Sequence, residues 1–175
     1  MASPKYHSLY LTTDLPGDFR QINEQILKQF VLACDQPGTK RSHYFSGRYE
    51  NIYTDREYIP ALKPVFDSAL KGAGRFLRRS DADLSIGFWF NEMQQGQVTL
   101  PHCHDEDGEL VSAVYYIRVP PDSGDLVLTG VEGKKVITPR EGMFVFFLPV
   151  IQHEVTENKS GATRLSIGMN FGIRK

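Results

Sequence analysis

The first half of the chain contains two stretches in which apolar residues recur every three or four positions. The members of the first stretch are Phe19, Ile22, Ile26 and Phe30. Asp14 or Asp18 precedes them and can cap a helix N-terminus. The second stretch runs from about residue 55 to residue 77, and glycines weaken its end. This periodicity predicts two helices, each burying one face.

From about Leu84 onward the apolar runs become short, alternate with polar residues and are separated by Gly, Pro and Asp. This pattern is typical of an antiparallel sheet. The predicted strands are 85–91, 97–101, 111–118, 125–128, 135–137, 143–148 and 164–171. Short strands that follow two helices predict an α+β fold, a barrel or jelly roll with the N-terminal helices packed on one outer face.

Between the predicted helices, the segment from Pro37 to Tyr53 is rich in Gly, Ser, Lys, Arg and Tyr. This composition predicts a long loop that could border a substrate site. The basic and aromatic residues around it are Tyr44, Arg48, Tyr49, Tyr53 and Arg56. They could meet a carboxylate or a planar group of a substrate. A solvated surface explains them equally well, and we favour it.

Length and charge narrow the classes of protein. The 175 residues suit a single domain over 1–175, with 1–80 as mainly helical support and 83–175 as the jelly-roll core that carries the metal site. A formal charge of −1 gives no reason to expect nucleic acid or an anionic membrane surface as partner. Two cysteines, read as free thiols, favour a cytoplasmic location.

The apolar runs are also too short for a membrane protein. The longest, Phe144 to Ile151, falls far short of the roughly 20 residues that a spanning helix needs. We therefore expect no membrane span. An exposed apolar face on the first helix would suit a homodimer contact.

Metal-binding side chains are concentrated directly after a predicted strand, in the segment 101–109. His102 and His104 are two residues apart, so on an extended backbone both imidazoles project from the same face and can converge on one ion. The acidic residues that follow can serve as ligands or orient the imidazoles. His153 lies before a returning strand and can reach the same place. Imidazole with carboxylate indicates a divalent transition metal, and open coordination positions would suit Fe(II) oxygen chemistry.

A second group of polar residues opens the last predicted strand. Alternation places Arg164 and Ser166 on one face of that strand. A guanidinium forms a bidentate pair with a carboxylate, and the serine hydroxyl adds a donor. The pair therefore suits a carboxylate ligand, although an arginine on a solvated edge strand would show the same pattern.

These motifs occur in a recognisable order: Asn91 with Gly96, then His102 to His104, 112–116, 139–142, 153–155 and 164–166. In this order the chain resembles the 2-oxoglutarate and Fe(II)-dependent oxygenase superfamily, and within it the small oxygenases with an H-x-H motif from bacteria and phages. The resemblance covers roughly Trp89 to Ile173. It implies a double-stranded β-helix, or cupin-like jelly roll, that uses Fe(II) and 2-oxoglutarate.

The resemblance also implies roles for individual residues. His102 and His153 would be iron ligands and the catalytic residues, and Arg164 with Ser166 would hold the distal carboxylate of 2-oxoglutarate. Tyr116 resembles the tyrosine that many relatives direct at the same carboxylate, although strands favour tyrosine in any case. Asn91 is the remaining expected cofactor-binding residue.

The third iron ligand is open, because His104 stands where the superfamily usually has Asp or Glu. The first arrangement combines His102, His104 and His153. The second combines His104, Glu106 and His153, and the third uses His102 and His153 with Asp105 or water. Spacing from Gly96 favours the first and spacing from Ser112 favours the second. We expect the first and keep Glu106 as the best alternative carboxylate.

The implied reaction uses dioxygen to hydroxylate a small molecule or amino-acid-type substrate and releases succinate and CO2. Desaturation, cyclisation and halogenation are other outcomes of the same chemistry. A cupin-type metal enzyme without 2-oxoglutarate is the alternative, because Gly96, His102, His104 and Glu109 nearly reproduce the first cupin motif. A barrel that binds an acidic ligand or a protein without catalysis is a further alternative, although it has no need for converging histidines.

Overall fold

The structure is a computed structural model that describes residues 9–45, 47–104, 108–131 and 133–174. Both predicted helices form, and the first, α1, spans Phe19–Ala33. The Asp18 side chain caps α1 by accepting a hydrogen bond from the backbone N–H of Gln21. The buried residues of α1 fall on one face, and they are Asn23, Ile26, Phe30 and Ala33.

The second helix, α2, is shorter than the predicted stretch and spans Lys63–Leu77. The residues before it form two 3₁₀ turns, Arg56–Tyr58 and Pro60–Leu62. A proline is favoured in the first turn of a helix, where its missing N–H has no intrahelical partner, and Pro64 occupies that position. No described helix is both long and apolar enough to cross a bilayer.

The described residues form eleven strands in two antiparallel sheets. The strands are β1 Tyr10–Asp14, β2 Lys40–Phe45, β3 Arg48–Tyr53, β4 Leu84–Met93, β5 Thr99–His102, β6 Val111–Arg118, β7 Leu126–Gly130, β8 Gly133–Ile137, β9 Met143–Phe147, β10 Gln152–Val155 and β11 Arg164–Ile173. The larger sheet has the order β1-β9-β6-β11-β4-β3-β2, and the smaller has β5-β10-β7-β8. This arrangement is a jelly roll with two helices, which confirms the predicted fold class.

The prediction of a loop over 37–53 is wrong. Most of this segment is a hairpin of β2 and β3, and β3 pairs with β4, so the hairpin extends the larger sheet. Nearly all of β2 is exposed or half-buried on both faces, which hides the alternation that identifies a strand. Strands β1 and β10 were also not predicted, because polar residues make up most of each and no apolar alternation is visible.

The larger sheet separates two kinds of interior. We call the face that packs against α1 and α2 the helix-side face, and the face toward the smaller sheet the barrel-side face. Strand β11 shows the division clearly. Its helix-side residues are Leu165, Ile167, Met169 and Phe171, all buried in the core that includes the helices. Its barrel-side residues include Arg164, Ser166 and Asn170, because alternate residues of a strand face opposite sides.

The helix-side core fixes how closely the helices approach the sheet. Gly72 of α2 lies directly over the ring of Phe146, where a side chain at position 72 would overlap that ring. The barrel side has a smaller apolar cluster that joins the two sheets. Its buried members are Tyr116, Leu126, Leu128, Ile137, Met143, Val145 and Phe147.

Candidate functional site

Three histidines meet where the smaller sheet opens toward β4. Strands β5 and β10 are antiparallel neighbours, and their register places His102 directly opposite His153. The backbone N–H of His104 donates to the carbonyl of Pro149 at 2.9 Å, which ties the segment after β5 to the turn before β10. Each imidazole offers a ligand nitrogen, and these nitrogens all lie within 4.8 Å of one another. The cluster can hold a metal ion.

Hydrogen bonds define which ring nitrogen can bind a metal. Nδ1 of His102 lies 2.8 Å from the Leu100 carbonyl oxygen, and Nδ1 of His153 lies 3.1 Å from that of Ile151. A carbonyl oxygen can only accept, so each Nδ1 carries the proton and donates. This leaves Nε2 of both rings unprotonated in the neutral imidazole, as a metal ligand requires.

His153 is the buried member of the cluster, with 7% of its surface exposed, and it packs against Phe147 with ring centroids 4.8 Å apart. Burial lowers its pKa to about 3, and the neighbouring His102 contributes in the same direction. His153 is therefore neutral at physiological pH. No proton has to be removed before this ring can bind a cation.

Arg164 forms a second polar centre inside the jelly roll. Arg164 is 1% exposed, and burial lowers the pKa of its guanidinium. Nη1 donates to the carbonyl oxygens of Ser123 at 3.2 Å and Gly124 at 2.6 Å. Among the described residues Nε has no hydrogen-bond partner, and no carboxylate forms an ion pair with this arginine. A buried cation in such surroundings favours an anionic ligand.

Strand register brings the other predicted cofactor-binding residues beside it. Ser166 lies opposite Tyr116 of β6 on one side and opposite Asn91 of β4 on the other. These three residues therefore form one row across the barrel-side face. The Arg164 guanidinium carbon lies 5.2 Å from the centroid of the Tyr116 ring. The structure thus brings together Asn91, Tyr116, Arg164 and Ser166, as the sequence predicted, while their roles stay predictions.

The Tyr116 hydroxyl completes the donors of this centre. Tyr116 is fully buried, and its hydroxyl has no hydrogen-bond partner within the described part of the chain. Burial raises its pKa to about 12, against the opposing effect of the Arg164 charge. The hydroxyl is therefore protonated and can donate. The Tyr116 hydroxyl and the Nε of the Arg164 guanidinium, both buried and both without a well-formed hydrogen bond among described residues, fit a carboxylate, the group that 2-oxoglutarate would present.

An open cleft of about 740 Å³ adjoins the histidines. His102, Cys103 and His104 form part of its wall, and the β2–β3 hairpin forms another part. Trp89 and Asn170 also lie in this wall and were not predicted as site residues. Their alternation was available as a signal, because Trp89 is two residues before Asn91 and Asn170 is four residues after Ser166. The prediction that the hairpin segment borders a site agrees with this cleft.

The alternative sets of metal ligands differ in whether their residues are described and whether those residues lie in the histidine cluster. Asp105 and Glu106 lie outside the described residues, so the arrangements that use them stay open. The cupin alternative needs Glu109 as a ligand, but Glu109 is not among the residues that form the cluster. Its Oε1 instead accepts a hydrogen bond from Nδ2 of Asn170 at 2.6 Å. Among described residues, the cluster contains the three histidines that the first arrangement names.

Sequence comparison identifies the jelly-roll half. Residues 88–172 match the family model of the 2OG-Fe(II) oxygenase superfamily. This stretch contains every predicted iron ligand and cofactor-binding residue. No curated protein matches the chain.

Solved structures share the fold at low sequence identity. A prolyl-4-hydroxylase from Pseudomonas putida has a TM-score of 0.66 and 18% identity, covering 97% of this chain and 90% of that one. A Trichoplax adhaerens prolyl hydroxylase, solved with a hypoxia inducible factor peptide, has a TM-score of 0.72 and 16% identity, covering 95% and 84%. A non-heme alpha ketoglutarate dependent epimerase of nogalamycin biosynthesis has a TM-score of 0.72 and 12% identity, covering 93% and 77%.

Proposed function

We propose that this chain, whose residues 88–172 match the family model of the 2OG-Fe(II) oxygenase superfamily, is an oxygenase of that kind that hydroxylates a small molecule or an amino-acid-type substrate. The balanced reaction converts R–H, O2 and 2-oxoglutarate into R–OH, succinate and CO2, with one oxygen atom in each organic product. The observation that carries this proposal is that one jelly roll contains both three converging imidazoles and a buried arginine that has no ion-pair partner among described residues.

His102, His104 and His153 would hold the iron through their unprotonated ring nitrogens. Bound Fe(II) together with 2-oxoglutarate supplies the oxygen activation, which no amino-acid side chain provides. The Leu100 and Ile151 carbonyls keep His102 and His153 in the required tautomer. The protein's own contribution at this end is therefore ligand geometry and protonation state.

Arg164, Tyr116 and Ser166 would bind the far carboxylate of 2-oxoglutarate. A charge-assisted hydrogen bond to a guanidinium is stronger in a buried site than at a surface. The Ser123 and Gly124 carbonyls that accept from Nη1 hold the guanidinium in place while Nε is available. The apolar cluster beside it, including Leu128 and Phe147, excludes water from this end of the site.

Hydroxylation is the outcome that the prolyl hydroxylase neighbours favour, since their descriptions name that activity. The epimerase and a carbocyclase with the same fold are described with other outcomes. Mass analysis of the product therefore belongs in the test of substrate turnover. One added oxygen atom supports hydroxylation, whereas loss of two hydrogens would replace it with desaturation or ring closure.

The decisive experiment is an anaerobic titration of the protein with Fe(II) and then 2-oxoglutarate, followed by the visible charge-transfer band of the chelate. We expect the band in the native chain, its loss in His153→Ala and its weakening in Arg164→Ala. Metal binding without a band would overturn the use of 2-oxoglutarate. Succinate release measured under air gives an independent readout of the same assignment.

The same titration separates the ligand sets. His102→Ala should weaken Fe(II) binding if all three histidines are ligands, and Glu106→Gln should leave it unchanged. The reverse result would assign the carboxylate arrangement and remove His102 as a ligand. Comparing His102→Ala with His104→Ala in one series then identifies which pair of imidazoles is required.

A further inference from the structure

The cleft beside the histidines has a distinctive lining. Its walls come from β2 and β3, from β4, and from the segment after β5. The polar and aromatic residues that matter for recognition are Glu50, Tyr53, Trp89, Glu109 and Asn170. A volume of about 740 Å³ is the size of a small-molecule site.

The charge of this lining is one-sided. Of the described residues that line the cleft, Glu50 and Glu109 are acidic, and none is Lys or Arg. The basic residues of the neighbouring segment point elsewhere. Arg48 is buried, pairs with Glu50 at 3.0 Å and donates to the Val98 carbonyl, and Arg56 lies over the Phe66 ring. The lining of the cleft therefore presents carboxylates and no lysine or arginine, and the Glu50 carboxylate is already paired with Arg48.

Glu109 is held in a defined orientation. The Ser112 hydroxyl donates to Oδ1 of Asn170 at 2.9 Å, and Nδ2 of Asn170 donates to Oε1 of Glu109 at 2.6 Å. This chain of hydrogen bonds starts on β6, passes through β11 and ends at the cleft wall. The amide of Asn170 therefore fixes the orientation of the Glu109 carboxylate in the cleft wall.

Two aromatic rings, those of Tyr53 and Trp89, also line this cleft. Tyr53 and Trp89 have ring centroids 6.4 Å apart, with their planes tilted by 43°. The indole lies against Gly168, where any side chain would overlap it, so the position of Trp89 depends on that glycine. The faces of aromatic rings attract cations, and the attraction is strongest for tryptophan.

We propose that the substrate carries an organic cation, an amine or a guanidinium, which binds between the Glu109 carboxylate and the Tyr53 and Trp89 rings. This inference rests on the proposed function and names the substrate class of the same site. The Trp89 ring lies 5.5 Å from the His104 ring by centroid distance, so a cation held there places its neighbouring C–H bonds near the histidine cluster.

The test measures binding to the protein loaded with Mn(II) and 2-oxoglutarate under anaerobic conditions, by calorimetry and by the broadening of ligand proton signals. The probes are the Nα-acetyl methylamides of arginine and lysine, with those of citrulline and norleucine as neutral counterparts. Their blocked α-amino groups leave the side chain as the only cation, and free L-arginine tests whether the cation is recognised in a free amino acid. We expect each cation to bind at least about tenfold more tightly than its neutral counterpart. Equal or tighter binding of the neutral probes, or no binding of any cation, overturns the proposal.

Glu109→Gln tests the carboxylate itself, because glutamine keeps the oxygen that accepts from Asn170 and removes only the charge. We expect about a tenfold loss of cation affinity. Glu157→Gln, an exposed acid outside the cleft, is the matched control and should leave the affinity unchanged. If Glu109→Gln binds cations like the native chain, the proposal fails.

The Fe(II) and 2-oxoglutarate charge-transfer band separates this failure from failure of the proposed function. The band should persist in Glu109→Gln, which also shows that the variant is folded. A missing band in the native chain would contradict the oxygenase assignment, whereas a normal band without cation selectivity would contradict the substrate class alone.

Discussion

The two faces of the larger sheet are built from the same strands and differ in what they bury. On the helix-side face, β9 contributes Phe144 and Phe146 to an apolar core shared with α1 and α2. On the barrel-side face, the neighbouring strands contribute Tyr116, Arg164 and Ser166, with donors that have no partner among described residues. The helix-side face buries apolar side chains, whereas the barrel-side face buries two polar groups, the Tyr116 hydroxyl and Arg164 Nε, that lack a hydrogen-bond partner among described residues.

Strand alternation alone therefore places the residues that stabilise the fold on one face of the sheet and the candidate site residues on the other. A shift of one residue in β11 would exchange Arg164 with Leu165 and destroy both faces at once. Register is fixed because β11 pairs along its length with β4 and with β6. Substitutions on the two faces should therefore have distinguishable effects.

The largest effect is expected on the helix-side face. Phe146→Ala removes a fully buried ring packed over Gly72, and we expect it to lower the free energy of unfolding by roughly 3–5 kcal/mol in urea titrations. Ser166→Ala on the other face should cost less than about 1 kcal/mol. If folded Phe146→Ala has lost the 2-oxoglutarate band, the faces are not independent.

The next largest effect is the pH dependence of the free energy of unfolding that results from burying His153 in the barrel interior. The folded-state pKa of His153 is about 3, below the value near 6.5 in the unfolded chain, so the unfolded state binds more protons between these values. This term therefore favours folding above pH 6.5, and we expect the metal-free protein to lose about 3 kcal/mol from it between pH 7 and pH 4.

The reference for this measurement is His153→Gln, which has no titrating ring at that position. Urea titrations give the free energy of unfolding of both proteins at each pH. The difference between the two pH profiles is the contribution of His153. Parallel pH profiles for the two proteins would show that burial of His153 does not determine the acid sensitivity.

A smaller effect is expected for Arg164→Met, which should weaken 2-oxoglutarate binding by roughly 10- to 100-fold, since a hydrogen bond to a charged group contributes about 1.5–3 kcal/mol. Its effect on unfolding should be smaller than that of Phe146→Ala. Arg118→Met, at an exposed end of β6, is the matched control and should bind 2-oxoglutarate normally. Titration of the charge-transfer band gives both affinities.

The smallest effect is expected for Tyr116→Phe, and it distinguishes most directly between a ligand-binding and a structural role on the barrel-side face. Tyr116→Phe removes a buried hydroxyl without a described partner, so the metal-free protein should be as stable as the native chain or slightly more stable. Binding of 2-oxoglutarate should still weaken by roughly 0.5–1.5 kcal/mol. A variant that loses stability and keeps its affinity would place the hydroxyl among the structural groups.

The sequence predicted the elements whose periodicity is strong and missed those whose residues are exposed on both faces. Helix α1 and strand β6 were predicted within a few residues, because one face of each is continuously apolar. The β2–β3 hairpin could not be identified, because every residue of β2 is exposed or half-buried and the pairing of β3 with β4 joins residues far apart in sequence.

The candidate site shows the same limit. His102, His104 and Arg164 were identifiable because their spacing matches known chemistry at short range. The approach of His153 to His102 depends on β10, a strand of four residues that lacks a visible alternation. The orientation of Glu109 depends on Asn170, which lies 61 residues away in sequence and reaches it through the sheet.

Trp89, which packs closely on Gly168, also makes the cleft observable by fluorescence. The chain contains a single tryptophan, and that residue lines the cleft next to His104. Its intrinsic fluorescence therefore comes from the one place where metal and substrate would bind, without background from other indoles. Quenching by a paramagnetic ion would report occupancy of the histidine cluster in real time, so the native protein carries its own optical probe.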